Sequence, residues 1–233
     1  IAALRQVVES SRGPSAEAGA EARPAGHVVA FCAPKGGTGR TTMAINTALA
    51  VLEATGEPAV LVDADYASPA VDVLLNLPGQ RDIGHLLPRL SRLDDSLVAG
   101  VLARHATGLQ ALLAPPPGDL EAPISLPQVQ QILVVLRRMF RWVFVDLGLP
   151  LDETAYGYLD SADLLVMSVL PEMAGLRNTR YMLGQLHGRG YPADTIWLVL
   201  NREGMDGGVP VRDIEDRLGG ELRPFQRAGV TVG

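Results

Sequence analysis

The stretch Pro34-Lys35-Gly36-Gly37-Thr38-Gly39-Arg40-Thr41-Thr42 decides the fold, because it joins an apolar run to a segment with helical spacing. Its glycines let the chain curl so that successive N–H groups converge on an anion, and the start of a helix adds its dipole. A hydroxyl placed directly after the last basic residue suits a magnesium ligand. The order of strand, glycines, basic residue, hydroxyl pair and helix predicts a phosphate-binding loop, with an ordinary glycine-rich turn as the alternative.

Short apolar runs and helical segments alternate around this loop. The apolar runs are nearly continuous in Val, Leu, Ile and Ala, as in strands buried on both faces, and lie at 27–33, 59–63, 108–114, 142–146, 164–169 and 195–201. Helical spacing occurs at 41–54, 126–141, 174–188 and 211–218. This alternation predicts an α/β three-layer sandwich, a mostly parallel twisted sheet with helices on both faces. Ligands of such folds bind at the carboxyl ends of the strands.

Composition excludes several classes of protein. The chain has 233 residues, of which 47% are hydrophobic, so it can fill a core, and its single cysteine rules out a disulfide scaffold. No apolar run approaches the length of a membrane span. The net charge of −6 weighs against broad binding to nucleic acid. Of the 20 basic residues, 19 are arginine, and Lys35 is the single lysine.

The ends of the chain predict a fragment of a longer protein, since the sequence begins at Ile1 without a methionine. Residues 1–10 place apolar side chains on one helical stripe, which predicts a terminal or docking helix of a mostly missing upstream domain. Residues 11–26 have the composition of a flexible linker, and 27–233 form the main domain. The alternative for the first residues is a frayed extension.

Acidic side chains follow two of the predicted strands. Asp63 and Asp65 end the run at 59–63 on one face, which suggests a metal or a water to be oriented, and the alternative is a turn cap. Asp146 ends the run at 142–146 in the form of a strand that holds Mg²⁺.

An amide follows the last predicted strand, at Asn201 beside Arg202. Its donor and acceptor suit the edge of an adenine base, although asparagine also forms ordinary turns.

Residues 34–42 resemble the deviant Walker A motif of the ParA/MinD superfamily of P-loop ATPases, K-G-G-x-G-K-[ST]. The resemblance implies ATP or ADP with Mg²⁺, a nucleotide-sandwich dimer that Lys35 crosses to reach the partner's phosphates, Asp65 as the water-positioning residue, and Asp63 near the metal. Pro34 replaces a frequent glycine, and Arg40 replaces the lysine that touches the β- and γ-phosphates. The implied ligands of the metal are Thr41, Asp63 and Asp146, and those of the nucleotide are Lys35, Gly36, Gly37, Thr38, Gly39, Arg40, Thr41, Thr42, Asn201 and Arg202.

Further along, residues 82–117 and 159–201 resemble the CpaE/TadZ branch of pilus-assembly proteins, in segments such as 93–97, 107–115 and 174–178. That resemblance implies a receiver-like domain before the linker, a homodimer, and pilus or secretion machinery as partners. It also implies a cytoplasmic protein that partners recruit to a cell pole or to the inner face of the membrane.

Because the guanidinium of Arg40 is broader than an ammonium, we expect weak or absent ATP hydrolysis. The alternatives are an active ParA/MinD-type ATPase in DNA partitioning or flagellar placement, and a nucleotide-independent scaffold.

Overall fold

The computed structural model describes residues 25–78, 81–120 and 122–218. The predicted helix at 1–10, most of the predicted linker and the segment 219–233 lie outside the described residues. At the end of the predicted linker, Gly26 is buried, and its N–H donates to the carbonyl of Arg137 at 2.7 Å.

Within these residues, seven strands form one sheet in the order β3-β4-β2-β5-β1-β6-β7. All neighbouring pairs are parallel except the edge pair of β3 and β4. The strands are β1 (His27–Cys32), β2 (Ala59–Ala64), β3 (Ala103–Arg104), β4 (Gln110–Leu112), β5 (Trp142–Leu147), β6 (Leu164–Val169) and β7 (Ile196–Leu200).

In the described residues there are seven α-helices, six of them between strands and one after the last strand, and three short 3-10 helices at Ile83–His85, Leu87–Arg92 and Ala193–Thr195. The helices are α1 (Arg40–Thr55), α2 (Val71–Leu74), α3 (Asp95–Val101), α4 (Leu126–Met139), α5 (Glu153–Leu159), α6 (Met173–Gly188) and α7 (Val211–Leu218).

Alternate residues of each strand feed two separate cores, one on each face of the sheet. On one face, Val29 and Phe31 pack with the buried side of α1, which carries Ala44, Ala48 and Val51. On the other face, the intervening strand residues pack with α4, α5, α6 and α7. The structure therefore confirms the predicted three-layer sandwich with a mostly parallel sheet.

The six predicted strands and four predicted helices all occur, with ends shifted by at most two residues. The largest difference is in β4, which loses two residues at each end and spans three of the predicted seven because its flanks bond elsewhere. The carbonyl of Leu109 accepts from the N–H of His105, and that of Leu113 accepts from the N–H of Ile83.

Several short elements carried no clear sequence pattern. The antiparallel strand β3 has only two residues, too few for a period to be read. Helix α5 contains Gly157, which weakens a helical pattern, yet that glycine lets α5 approach α4 closely. A Cβ at Gly157 would lie 3.3 Å from the side chain of Leu126.

Across the described ranges, no helix combines the length and apolar character that crossing a membrane requires.

We predict that the single thiol is unreactive in the folded chain. Cys32 lies in β1 with 0% of its surface exposed, and burial raises the pKa of its thiol to about 12. Ellman's reagent at mildly alkaline pH should therefore leave the native protein unmodified and should titrate one thiol after guanidinium chloride is added. Equal labelling rates before and after denaturation would contradict this burial.

Candidate nucleotide site

The site lies at one edge of the sheet, where the parallel strands end together. β1 leads into the loop 33–39, and β2 into Asp65. Asp146 lies near the end of β5, and Glu172 and Asn201 follow β6 and β7. Since carboxyl ends of parallel strands share one edge, residues far apart in the chain meet around the glycine-rich loop.

The loop has the backbone of an anion cradle. Gly37 and Gly39 take φ angles of +76° and +84°, which disfavour any residue with a Cβ. Gly39 is also the N-cap of α1, whose first turn carries no acidic residue. Exposed backbone at Gly36 and Gly37 thus stands before the positive end of a 16-residue helix, a favourable place for phosphate.

Arg40 begins α1 and turns its guanidinium to two carboxylates. Its Nη2 donates to Asp65 Oδ2 at 2.7 Å, and its Nε donates to Asp146 Oδ1 at 2.6 Å. The exposed fractions of these side chains are 10% for Arg40, 11% for Asp65 and 1% for Asp146. Burial alone would lower the pKa of Arg40, but Asp146 and then Asp65 outweigh it and raise that pKa, so the guanidinium is charged.

The same guanidinium reaches the hydroxyl that follows it. Nη2 of Arg40 lies 3.3 Å from Oγ1 of Thr41. The three groups expected to orient the metal and the attacking water, at Thr41, Asp65 and Asp146, are thus all in contact with one cation that belongs to the chain.

Asp63 shapes the loop after β2. Its Oδ2 accepts N–H bonds from Ala70 and Val71, each at 3.1 Å, and its Oδ1 accepts from the N–H of Asp65. Burial raises the pKa of Asp63 to about 7, although these N–H groups favour the charged form. The carboxylate therefore holds the backbone that carries Asp65, and its predicted place near a metal stays a prediction.

Lys35 is paired with a residue that the sequence did not single out. Its ammonium donates to the carboxylate of Glu172, the N-cap residue of α6, and both side chains are about one-third exposed. The rule that groups after parallel strands collect at one edge could have identified Glu172, which lies three residues beyond β6.

Thr38 ties the loop to β6 and β7. Its carbonyl accepts from Oγ of Ser168 at 2.9 Å and from Nδ2 of Asn201 at 2.8 Å. Oδ1 of Asn201 accepts from the N–H of Arg202, so both ends of the predicted base-reading amide are engaged. Ser168 was not predicted from the sequence, although a single hydroxyl within an otherwise apolar strand is a pattern that could have identified it.

The remaining predicted residues lie at the rim of the loop. Thr42 and Arg202 are exposed, and the carbonyl of Thr42 accepts from the side chain of Asn46. Arg202 has a φ of 57°.

The loop fits phosphate groups better than it fits a divalent metal. Oγ1 of Thr38 is buried without a hydrogen-bond partner among the described residues, which marks a place for an incoming polar group. In contrast, the guanidinium of Arg40 engages the hydroxyl and carboxylates that Mg²⁺ would need. Within residues 25–78, 81–120 and 122–218, no three His, Cys, Asp or Glu side chains converge as a metal site.

Comparisons of sequence point to one group of proteins. MinD of Bacillus subtilis, a septum site-determining protein, is 25% identical over 165 residues, which cover 69% of this chain and 59% of MinD. MinD of Synechocystis sp. is 24% identical over 176 residues, covering 75% of this chain and 64% of that protein. The chain thus spans less than two-thirds of both relatives. No family model matches it.

Solved structures share the fold. A ParA family ATPase from Chlorobium tepidum superposes with a TM-score of 0.78 at 22% identity, covering 87% of this chain and 83% of that one. MinD of Pyrococcus horikoshii, solved with Mg-ADP, gives a TM-score of 0.68 at 20% identity, covering 85% and 79%. The chain has the fold of the ParA/MinD P-loop ATPases, and its sequence similarity to MinD supports that superfamily.

We predict that Gly39→Ala destabilises the chain more than Gly37→Ala. Both need a left-handed backbone, which costs about 1–2 kcal/mol. A Cβ at Gly37 meets nothing within 4 Å, whereas at Gly39 it would lie 2.4 Å from Nδ2 of Asn201. Displacing that amide loses its bond to Thr38 and adds about 1 kcal/mol. Urea unfolding of both variants measures the difference.

The background Asn201→Ala is the control for this prediction. There, Gly39→Ala should cost no more than Gly37→Ala, because the amide that it displaces is gone. Equal losses for the two glycine variants in the wild-type background would contradict the proposed contact.

Proposed function

We propose that this chain binds ATP or ADP through the loop 34–42 and works as a nucleotide-dependent dimer with weak or absent hydrolysis. The observation that carries the proposal is the pairing of Arg40 with Asp65 and Asp146. The backbone of the loop suits a phosphate group, while the groups that hydrolysis would need are hydrogen-bonded to Arg40.

Binding is supported by the geometry of the loop. The glycine backbone before α1, the absence of acid in the first turn, and the unpartnered hydroxyl of Thr38 all favour an anionic ligand. The fold is that of nucleotide-binding proteins, one of which was solved with Mg-ADP.

Weak hydrolysis is supported by the hydrogen bonds that Asp65 already accepts from the protein. In hydrolysis, water attacks the γ-phosphorus, the bond to the β–γ bridging oxygen breaks, and ADP leaves. Asp65 would orient that water, but its Oδ2 accepts from Arg40 and its Oδ1 accepts from the N–H of Ser68 at 3.0 Å. A carboxylate has about four acceptor sites, so a water can still bind, but it competes with a charge-assisted hydrogen bond that is about twice as strong as a neutral one. The ion pair with Arg40 also reduces the negative charge with which Asp65 would orient that water.

The biological role that we propose is to position or assemble a pilus or secretion machine. Its support is the resemblance of residues 82–117 and 159–201 to the CpaE/TadZ branch. Recruitment of machinery proteins by a dimer would not require fast turnover, in keeping with the engaged Asp65.

We expect calorimetry to detect binding of ATP and ADP, and steady-state turnover below the intrinsic rate of about 3–5 × 10⁻⁴ per second that a P-loop GTPase shows without its activator. Arg40→Lys should raise turnover, because an ammonium lacks the planar, forked donors with which the guanidinium bonds two carboxylates. The weaker pairing would leave Asp65 freer to orient water. Adding Asp65→Ala should remove the gain.

The absence of binding heat would favour the nucleotide-independent scaffold, and fast wild-type turnover would favour an active partitioning ATPase.

We further predict that ATP drives dimerisation through Lys35. To reach the phosphates of a partner, Lys35 must leave Glu172, and an exposed ion pair of this kind contributes about 0–1 kcal/mol. Two such pairs break when a symmetric dimer forms, so the cost is up to about 2 kcal/mol per dimer. Sedimentation velocity with ATP should therefore show no dimer for Lys35→Ala and a dimer up to about 30-fold tighter for Glu172→Gln.

Glu53→Gln is the matched control, since Glu53 is exposed on α1. It should leave the dimer constant unchanged. A weaker dimer in Glu172→Gln would mean that Glu172 holds Lys35 in its working position, contrary to the prediction.

A further inference from the structure

We propose that Arg40 is a resident cation that takes the place of Mg²⁺, so that this chain binds nucleotide without a divalent metal. The inference rests on the proposed nucleotide function and concerns which cation, Arg40 or Mg²⁺, occupies the place between Thr41, Asp65 and Asp146. It departs from the Mg²⁺ site that the sequence predicts at Thr41, Asp63 and Asp146.

The guanidinium of Arg40 lies among the groups that would bind Mg²⁺. Arg40 is in contact with Thr41 Oγ1, Asp65 Oδ2 and both carboxylate oxygens of Asp146, the second of them at 3.4 Å. A hydroxyl and carboxylates at the end of a phosphate loop are the protein ligands that Mg²⁺ takes in such sites. The chain thus supplies one positive charge at the centre of the groups that would attract the metal.

Burial makes this arrangement hard to replace. The carboxylates of Asp65 and Asp146 are 11% and 1% exposed, so each needs a partner for its charge. Arg40 supplies it without the dehydration that Mg²⁺ resists. For the metal to enter, the guanidinium must give up several charge-assisted hydrogen bonds in a partly dry site.

Asp63, the third predicted metal ligand, is also bonded to the protein. Asp63 accepts three backbone N–H bonds that hold the loop after β2. Moving it toward a metal would break the contacts that place Asp65. The three predicted metal ligands, Thr41, Asp63 and Asp146, thus all have protein partners before nucleotide binds.

Linkage gives the proposal a measurable consequence. If Mg²⁺ and nucleotide share a site, each strengthens binding of the other by a common factor, about 5- to 150-fold for typical coupled ligands. If Arg40 fills the place of the metal, that factor is close to one. Shortening Arg40 should restore the coupling, because Thr41, Asp65 and Asp146 are then released.

The experiment is isothermal titration of the full chain with ADP, once with excess Mg²⁺ and once with EDTA. We expect the dissociation constants of the wild type to differ by less than about threefold, and those of Arg40→Lys and Arg40→Ala to be at least about tenfold tighter with Mg²⁺. Circular dichroism and thermal unfolding confirm that each variant is folded. Arg138→Lys is the matched control, since Arg138 pairs with Asp95 outside the site, and it should behave as the wild type.

The outcomes separate the two proposals. Wild-type binding that is threefold or more tighter with Mg²⁺ overturns the inference and leaves the nucleotide function standing. Metal-independent binding that persists in both Arg40 variants overturns the assignment to Arg40. If neither buffer shows binding to the wild type, the proposed nucleotide function fails, and the inference fails with it.

Discussion

The rest of the site depends on the two ion pairs of Arg40. Parallel pairing sets Asp63 of β2 beside Asp146 of β5, and Asp65 follows two residues later. Several carboxylates therefore gather at one buried edge, which is costly unless a positive charge joins them. Arg40 reaches that edge because it begins α1 directly after the loop, and its planar fork can bond two carboxylates at once.

This constraint divides the site into two parts. Bonds from Ser168 and Asn201 to the carbonyl of Thr38 fix the phosphate cradle to β6 and β7. In the other part, Arg40 bonds Asp65, the carboxylate that we propose would orient water, and Asp146. This division is the basis of our proposal that the chain is a nucleotide-dependent assembly protein with weak hydrolysis.

The sequence predicted the elements with strong local signals. Apolar runs predicted the parallel strands, and the glycine pattern of residues 34–42 predicted the loop before α1. It could not predict β3, which is too short to show a period, or α5, whose Gly157 weakens the helical pattern while its packing on α4 favours the helix. The sequence also could not predict that Arg40 pairs with Asp65 and Asp146, or that the amide of Asn201 bonds Thr38. These contacts depend on distances between strands that are far apart in the chain.

A crystal structure of the chain with a non-hydrolysable ATP analogue and excess Mg²⁺ tests the central claim most directly. We predict that the guanidinium of Arg40 stays within hydrogen-bond distance of Asp65 and Asp146 while the triphosphate lies in the loop 34–42. No metal should then bind Oγ1 of Thr41. A magnesium ion bound to that hydroxyl, with Arg40 withdrawn from both carboxylates, would contradict the account.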